Sequence, residues 1–282
     1  MTPSILVLAN VSATTERAAR YAAKLGAPLH AHVTLLNLAT LNVYPVLLAP
    51  ELAMMEAREA AQERNERLDG LWAIARKLPS PAVVEEAAGP MADAVATAVR
   101  QHQPLLLAMG LSAEHGFLDH LLHNQILPVL RATHLPLLLV PEAAPAPVLP
   151  KRVLVALDAD PFTPNSAARH LAPLLAACTA TYTVAHLAEE DESLEFAEQL
   201  VRARVRASML LPENTPVAFY QRVHYPPAEG ILQACADTRA DLVVLIARPR
   251  SFLGRLFHRS VTAQVISHSP KPVLLLPVEE SD

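Results

Sequence analysis

The chain reads as two tandem α/β domains, each a five-stranded parallel sheet with helices on both faces. Three observations predict this. Short, continuous apolar runs alternate with helical patterns, as strands do when both faces of a parallel sheet are covered. The alternation is written twice. "ILVLAN" (Ile5–Asn10) returns as "VLVALD" (Val153–Asp158), "LLLAMG" (Leu105–Gly110) as "DLVVLI" (Asp241–Ile246), and "LPLLLVP" (Leu135–Pro141) as "KPVLLLP" (Lys271–Pro277). From Gly89 to Pro141 the first half lies on the second without a gap, at a constant offset of 136 residues (Gly110 falls on Ile246). Third, "PEAAPAPVLP" (Pro141–Pro150) has the composition of a semi-rigid linker. The division predicted is a first domain over 1–141, a linker over 142–150 and a second domain over 151–282.

In the first half, strands are predicted at 4–9, 31–38, 82–87, 105–109 and 136–140, where Leu, Val and Ile cluster. Helices at 14–25, 51–78, 91–102 and 118–132 connect them. The second half repeats this order with a shorter second helix around 189–210. In the long helix, Leu52, Met55, Leu68, Leu71, Trp72, Ala75 and Leu78 form an apolar face expected to pack on the sheet. Right-handed crossovers give a doubly wound sandwich, whose ligands sit at the carboxyl ends of the strands.

Composition bounds the function. Hydrophobic residues make up 52% and charged residues 18%, and the net charge of −5 lacks the basic footprint of a nucleic-acid partner. Two cysteines, Cys178 and Cys235, suit a reducing cytoplasm and argue against a disulfide scaffold. The first twenty residues show no signal-peptide pattern, and no apolar run approaches the roughly 20 residues of a membrane span. Only seven glycines against 25 prolines is an odd balance for a protein built on glycine-rich phosphate loops.

Several constellations have two readings. Arg248, Arg250, Arg255, His258 and Arg259 make an anion site or a solvated basic face. In "EHGFLDHLLHNQ" (Glu114–Gln125), which also holds His115, His120 and His123 are i,i+3 neighbours on the predicted helix with Asp119 beside them, and His30 and His32 lie on one face of a strand. Neither set has the three or four well-placed ligands that zinc requires, and no metal is assigned. Ser12 lacks a nucleophile-elbow context, and Ser166 with Asn165 reads as a helix cap.

The loops after strands one, three and four, with the frame "ADLVVLI…SVTAQVISHSPKPVLLLP" (Ala240–Pro277), resemble the universal stress protein family in its tandem form. The resemblance covers nearly the whole chain, twice. It implies two flavodoxin-like, adenine-nucleotide-hydrolase-like domains that meet through their last strands as an internal pseudo-dimer. In ATP-binding members a first-strand Asp contacts the base, and a loop G-x2-G-x9-G-(S/T) wraps ribose and phosphates. Carried over, the first-half positions are Asn10, Gly89, Gly110, Ala113 and Asn124; those of the second half are Asp158, Arg248, Arg250, Arg259 and Ser260.

Neither half keeps the whole pattern. Asn10 replaces the Asp, Ala113 the second glycine, and His123–Asn124 the closing Gly-Ser; Gly89 and Gly110 remain. The second half keeps Asp158 and Ser260, but Tyr225, Ile246, Pro249 and Arg259 replace glycines. Pro249 has no N–H to donate. Each hydrogen bond lost to a charged phosphate is worth about 1.5–3 kcal/mol, so two or three losses weaken binding by roughly two to six powers of ten. Nucleotide binding is therefore expected to be lost in the second half and stays open in the first, where ATP or another adenine nucleotide is the candidate ligand.

The resemblance implies a cytoplasmic stress-response protein, a non-catalytic ligand sensor or interaction scaffold, with a homodimer and an unidentified protein as possible partners and neither nucleic acid nor membrane. The alternative is a weak hydrolase or phosphotransferase on the same fold.

Overall fold

The computed structural model describes residues 2–9, 12–39, 50–112, 127–157, 162–188, 194–208, 210–211, 215–223, 226–248 and 260–279. The first half contains β1 (Ser4–Ala9), α1 (Ala13–Gly26), a 3₁₀ turn (Ala27–Leu29), β2 (His32–Ala39), α2 (Pro50–Arg76), β3 (Ala82–Ala88), α3 (Met91–His102), β4 (Leu106–Leu111), α4 (Leu127–Thr133) and β5 (Leu137–Pro141). The second half contains β6 (Arg152–Ala156), α5 (Ser166–Arg169), α6 (Ala172–Ala177), β7 (Thr181–Ala188), α7 (Leu194–Ser208), β8 (Val217–Val223), α8 (Pro227–Asp237), β9 (Leu242–Ala247), α9 (Val261–His268) and β10 (Val273–Pro277).

The ten strands form one sheet in the order β3-β2-β1-β4-β5-β10-β9-β6-β7-β8. Pairing is parallel within each half and antiparallel at the centre, where Val273, Leu274 and Leu275 face Leu139, Leu138 and Leu137. The two last strands meet, as the resemblance implies. Because the central pair is antiparallel, the carboxyl ends of the two halves point to opposite edges of the sheet.

The period of two in the strands separates two cores. Ile5, Val7, Leu106, Ala108, Leu138 and Val140 face one layer, built from α1, α2, α6 and α7. Leu6, Leu8, Leu107, Met109, Leu137 and Leu139 face the other, built from α3, α4, α8 and α9. Each core contains residues of both halves, so the central seam is continuous on both faces.

The Pro/Ala stretch is fixed along α1. The Arg17 guanidinium donates to the Ala144 carbonyl, and the Tyr21 hydroxyl donates to that of Pro145 at 2.8 Å. Ala144 itself is buried in the first core.

Two expectations need correction. Among the described side chains of α2 the buried ones lie in its last turns: Leu71, Ile74 and Ala75 are buried, whereas Met55 is 58% exposed and Trp72 39%; the side chain of Leu52 lies outside the described residues. The helix has 27 residues, about 40 Å. The eight residues of β2 cover about 26 Å, so the early part of α2 outruns the sheet. His30 and His32 do not share a strand face. His30 ends the 3₁₀ turn at φ +52°, and only His32 enters β2.

Candidate functional site

The order of the sheet reverses at β1, between β2 and β4, and again at β6, between β7 and β9. These are the two places where a doubly wound sheet opens a crevice.

In the first half α1 starts four residues beyond the end of β1. Ser12 caps it, its Oγ accepting from the Thr15 amide at 3.2 Å. The first turn comes down directly on β4. A Cβ at Gly110 would stand 2.5 Å from the Thr14 carbonyl carbon and 2.6 Å from its Cβ. Gly110 is therefore required for the close approach of helix and strand, whatever ligand lies above them. Gly89 has a different reason. At φ +108° it turns the chain from β3 into α3, a conformation that side-chain-bearing residues rarely adopt. Asn10, Ala113 and Asn124 lie outside the described residues, as do His115, Asp119, His120 and His123.

In the second half the chain takes another route. Ile246, at the position of Gly110, packs against the first core. The helix begins only at Ser166, capped by Asn165, whose Oδ1 accepts from the Ala168 amide at 2.8 Å. Before it, Thr163–Asn165 run beside the continuation of β10. The Glu279 amide donates to the Thr163 carbonyl at 2.8 Å, and Pro164 bridges Val278. Asn165 Nδ2 then reaches the His134 carbonyl of the first half at 2.8 Å. Between β6 and α7 lies an apolar cavity of about 20 Å³, lined by Val155, Leu157, Phe162, Tyr182, Val205 and Leu276 among others. That is room for a water molecule, far short of a nucleotide.

Ser260 caps α9, its Oγ accepting from the Ala263 amide at 3.1 Å, so the one closing hydroxyl kept by the motif has a helix to hold. Arg248 follows β9, half-buried. Asp158, Arg250, Arg255, His258 and Arg259 lie outside the described residues, so of that basic cluster Arg248 alone is described.

The thiols are poorly placed for chemistry. Cys178 is buried and donates to the Leu174 carbonyl at 3.3 Å, and burial pushes its pKa up to about 11. Burial raises that of Cys235 as well. Among the described residues no three His, Cys, Asp or Glu are grouped to hold a metal ion. No helix there is long and apolar enough to cross a membrane.

A polar pair was missed in the sequence. Asn37 on β2 and Glu86 on β3 are register partners at the carboxyl end of the first half, on the face covered by α2. Asn37 also pairs with Ala9, the last residue of β1. Its Nδ2 donates to Glu86 Oε1 at 3.3 Å, and Arg64 Nε of α2 donates to Glu86 Oε2 at 2.6 Å. The Arg64 guanidinium holds the Glu86 carboxyl below its ordinary range. The signal was available: Asn37 interrupts the apolar run "HVTLLNLA", and Glu86 interrupts "AVVEEAA".

The model of the universal stress protein family matches the chain twice, over residues 1–141 and 150–277. A universal stress protein of Thermus aquaticus, from the QAH/OAS sulfhydrylase 3′ region, is 39% identical over 83 residues; the match spans 29% of this chain and 57% of the relative. Among solved structures, a universal stress protein from Archaeoglobus fulgidus aligns over 100% of this chain and 98% of its own, at 17% identity and a TM-score of 0.68. A protein of unknown function from Pseudomonas aeruginosa PAO1 aligns over 98% and 93%, at 13% identity and a TM-score of 0.54. At these identities the two structures speak for the fold alone.

Proposed function

Because this chain belongs to the universal stress protein family, we propose that it is a non-catalytic ligand sensor in stress adaptation, with one adenine-nucleotide crevice in its first half and none in its second. The observation that carries this is the contrast between the two switch points. In the first half α1 seats on Gly110 directly after β1. In the second, Ile246 stands at that position and packs against the core, and the helix starts only at Ser166, after Thr163–Asn165 have paired with the end of β10.

Asn10, Gly89, Gly110, Ala113 and Asn124 line the proposed crevice. Asp158, Arg248, Arg250, Arg259 and Ser260 belong to the second, where Asp158 and Ser260 keep the motif without its cradle. Protein partners would read the occupied state, in the cytoplasm, either from this chain or from a homodimer of it.

Isothermal titration of the full chain with ATP, ADP and AMP tests the reading. One micromolar site per chain, unaffected by Asp158→Ala, is expected. Binding of none of the three overturns the nucleotide assignment, and two equivalent sites overturn the asymmetry. Turnover of ATP over hours by the purified chain would contradict the non-catalytic part.

A further inference from the structure

Arg64 and Arg67 stand one turn apart on α2, followed at spacings of four and three by Leu71 and Ile74, so all four fall on one side of the helix. Leu71 and Ile74 are buried in the first core, and that side therefore faces the sheet. Beneath it runs β3, the outermost strand of the first half. Val84 of β3 packs against the same core, and Glu86, two residues on, shares its face.

The charges at this edge do not balance. Both oxygens of Glu86 are engaged: Oε2 accepts from Arg64 and Oε1 from Asn37 Nδ2. Arg64 uses Nε and Nη2 for this, which leaves Nη1 outside the pair. The Glu86 carboxyl is held below its ordinary range first by Arg64 and, more weakly, by the charge of Arg67, so Arg67 stands near it. Yet Arg67, half-buried, forms no ion pair among the described residues. Its Nε is buried and has no hydrogen-bond partner. Two guanidiniums share one carboxylate, and a positive charge is left over.

A buried N–H without a partner calls for a water or an ion. A guanidinium offers a planar fork of donors that matches an oxyanion. We propose that the α2–β3 edge is an anion site of its own, where Arg67 Nε and the free end of Arg64 hold a phosphate group. Phosphate is the class that fits. A dianion gains more from the surplus charge than a carboxylate does, and its tetrahedral oxygens serve two guanidiniums at once. Glu86 acts through Arg64 as a positioning residue, while its own charge opposes the ligand. The site lies two strands from β1, roughly 10 Å, and is separate from the proposed nucleotide crevice.

The arginine Nε–H resonances of the full chain test this, followed by NMR as inorganic phosphate replaces chloride at constant ionic strength. The Arg67 signal, assigned by its loss in Arg67→Lys, should shift and saturate at phosphate concentrations on the order of millimolar. Acetate should bind more weakly. Read at the Arg64 signal, Arg67→Gln should weaken phosphate binding roughly tenfold to a hundredfold, the worth of one charged hydrogen bond. Glu86→Gln removes the opposing charge and should tighten it, whereas a cluster with a purely structural role would bind no better without its carboxylate. Circular dichroism confirms that each variant is folded. An Arg67 signal indifferent to phosphate, a response that survives Arg67→Gln, or weaker binding by folded Glu86→Gln overturns the inference. ATP binding should be unchanged in Arg67→Gln; its loss in the folded variant would merge the two sites and overturn their separation.

Discussion

A methyl group at Gly110 would be driven into the Thr14 backbone, and neither helix nor strand can retreat without opening the core between them. Gly110→Ala should therefore destabilise the fold by about 1–3 kcal/mol, as overpacking does; chemical denaturation reads this with no nucleotide present. The sequence motif assigns Gly110 to phosphate, because the atoms that crowd it come from a helix nearly a hundred residues earlier. Ser260 makes the same point. Its hydroxyl is legible as a motif residue, and its cap on Ala263 becomes visible once the helix start is known. Cys178 supports a pH prediction. Its folded pKa is raised from the ordinary 9.0 to about 11 by burial. The protonated thiol thus contributes stability that is fully present below pH 9 and is lost as the pH rises through about 11. At pH 8 a thiol reagent should modify Cys178 only as fast as the native chain opens. Rapid labelling of the native protein would contradict its burial.

At the scale of elements, α2 is secured unevenly. Its last turns bury Leu71, Ile74 and Ala75, while the turns around Met54 and Met55 are exposed. Arg64, between these two parts, is tied to β3 through Glu86. Amide exchange should be fast from about residue 54 to 66 and slow from 71 to 76. Glu86 titrates below its ordinary 4.5 because of Arg64. A depressed carboxyl contributes stability above its unfolded pKa and loses it as the pH falls through the folded one. Protection at α2 should accordingly drop below pH 4.5, and Glu86→Gln should remove that pH dependence. The strands were legible because runs such as "ILVLA" and "LPLLLVP" permit little else, and their repetition at one offset exposed the duplication. The fate of α2 was hidden for a physical reason. An amphipathic pattern tells which side of a helix is apolar and says nothing of how far the sheet beneath it extends.

On the scale of the molecule, both cores run across the β5–β10 seam. Leu138 and Leu274 face each other there, fully buried. Leu274→Ala should cost about 2–5 kcal/mol, and wild type and variant alike should unfold in a single transition. Two separated transitions would show that the halves are independent.

The chain runs unbroken from β5 to β6 beside that seam, held by hydrogen bonds at Ala144 and Pro145, and Asn165 clasps His134. Two separate copies pairing through their last strands would have to be identical, and every substitution in one pocket would be imposed on the other. Joined in one polypeptide, the partners cannot exchange, and the effective concentration at the seam is set by the tether rather than by expression level. Each half is then free to drift alone. One can lose residues that the other keeps and still serve as its permanent counterpart. The asymmetry between Gly110, crowded by Thr14, and Ile246, packed against the core, is a difference of the kind such freedom allows.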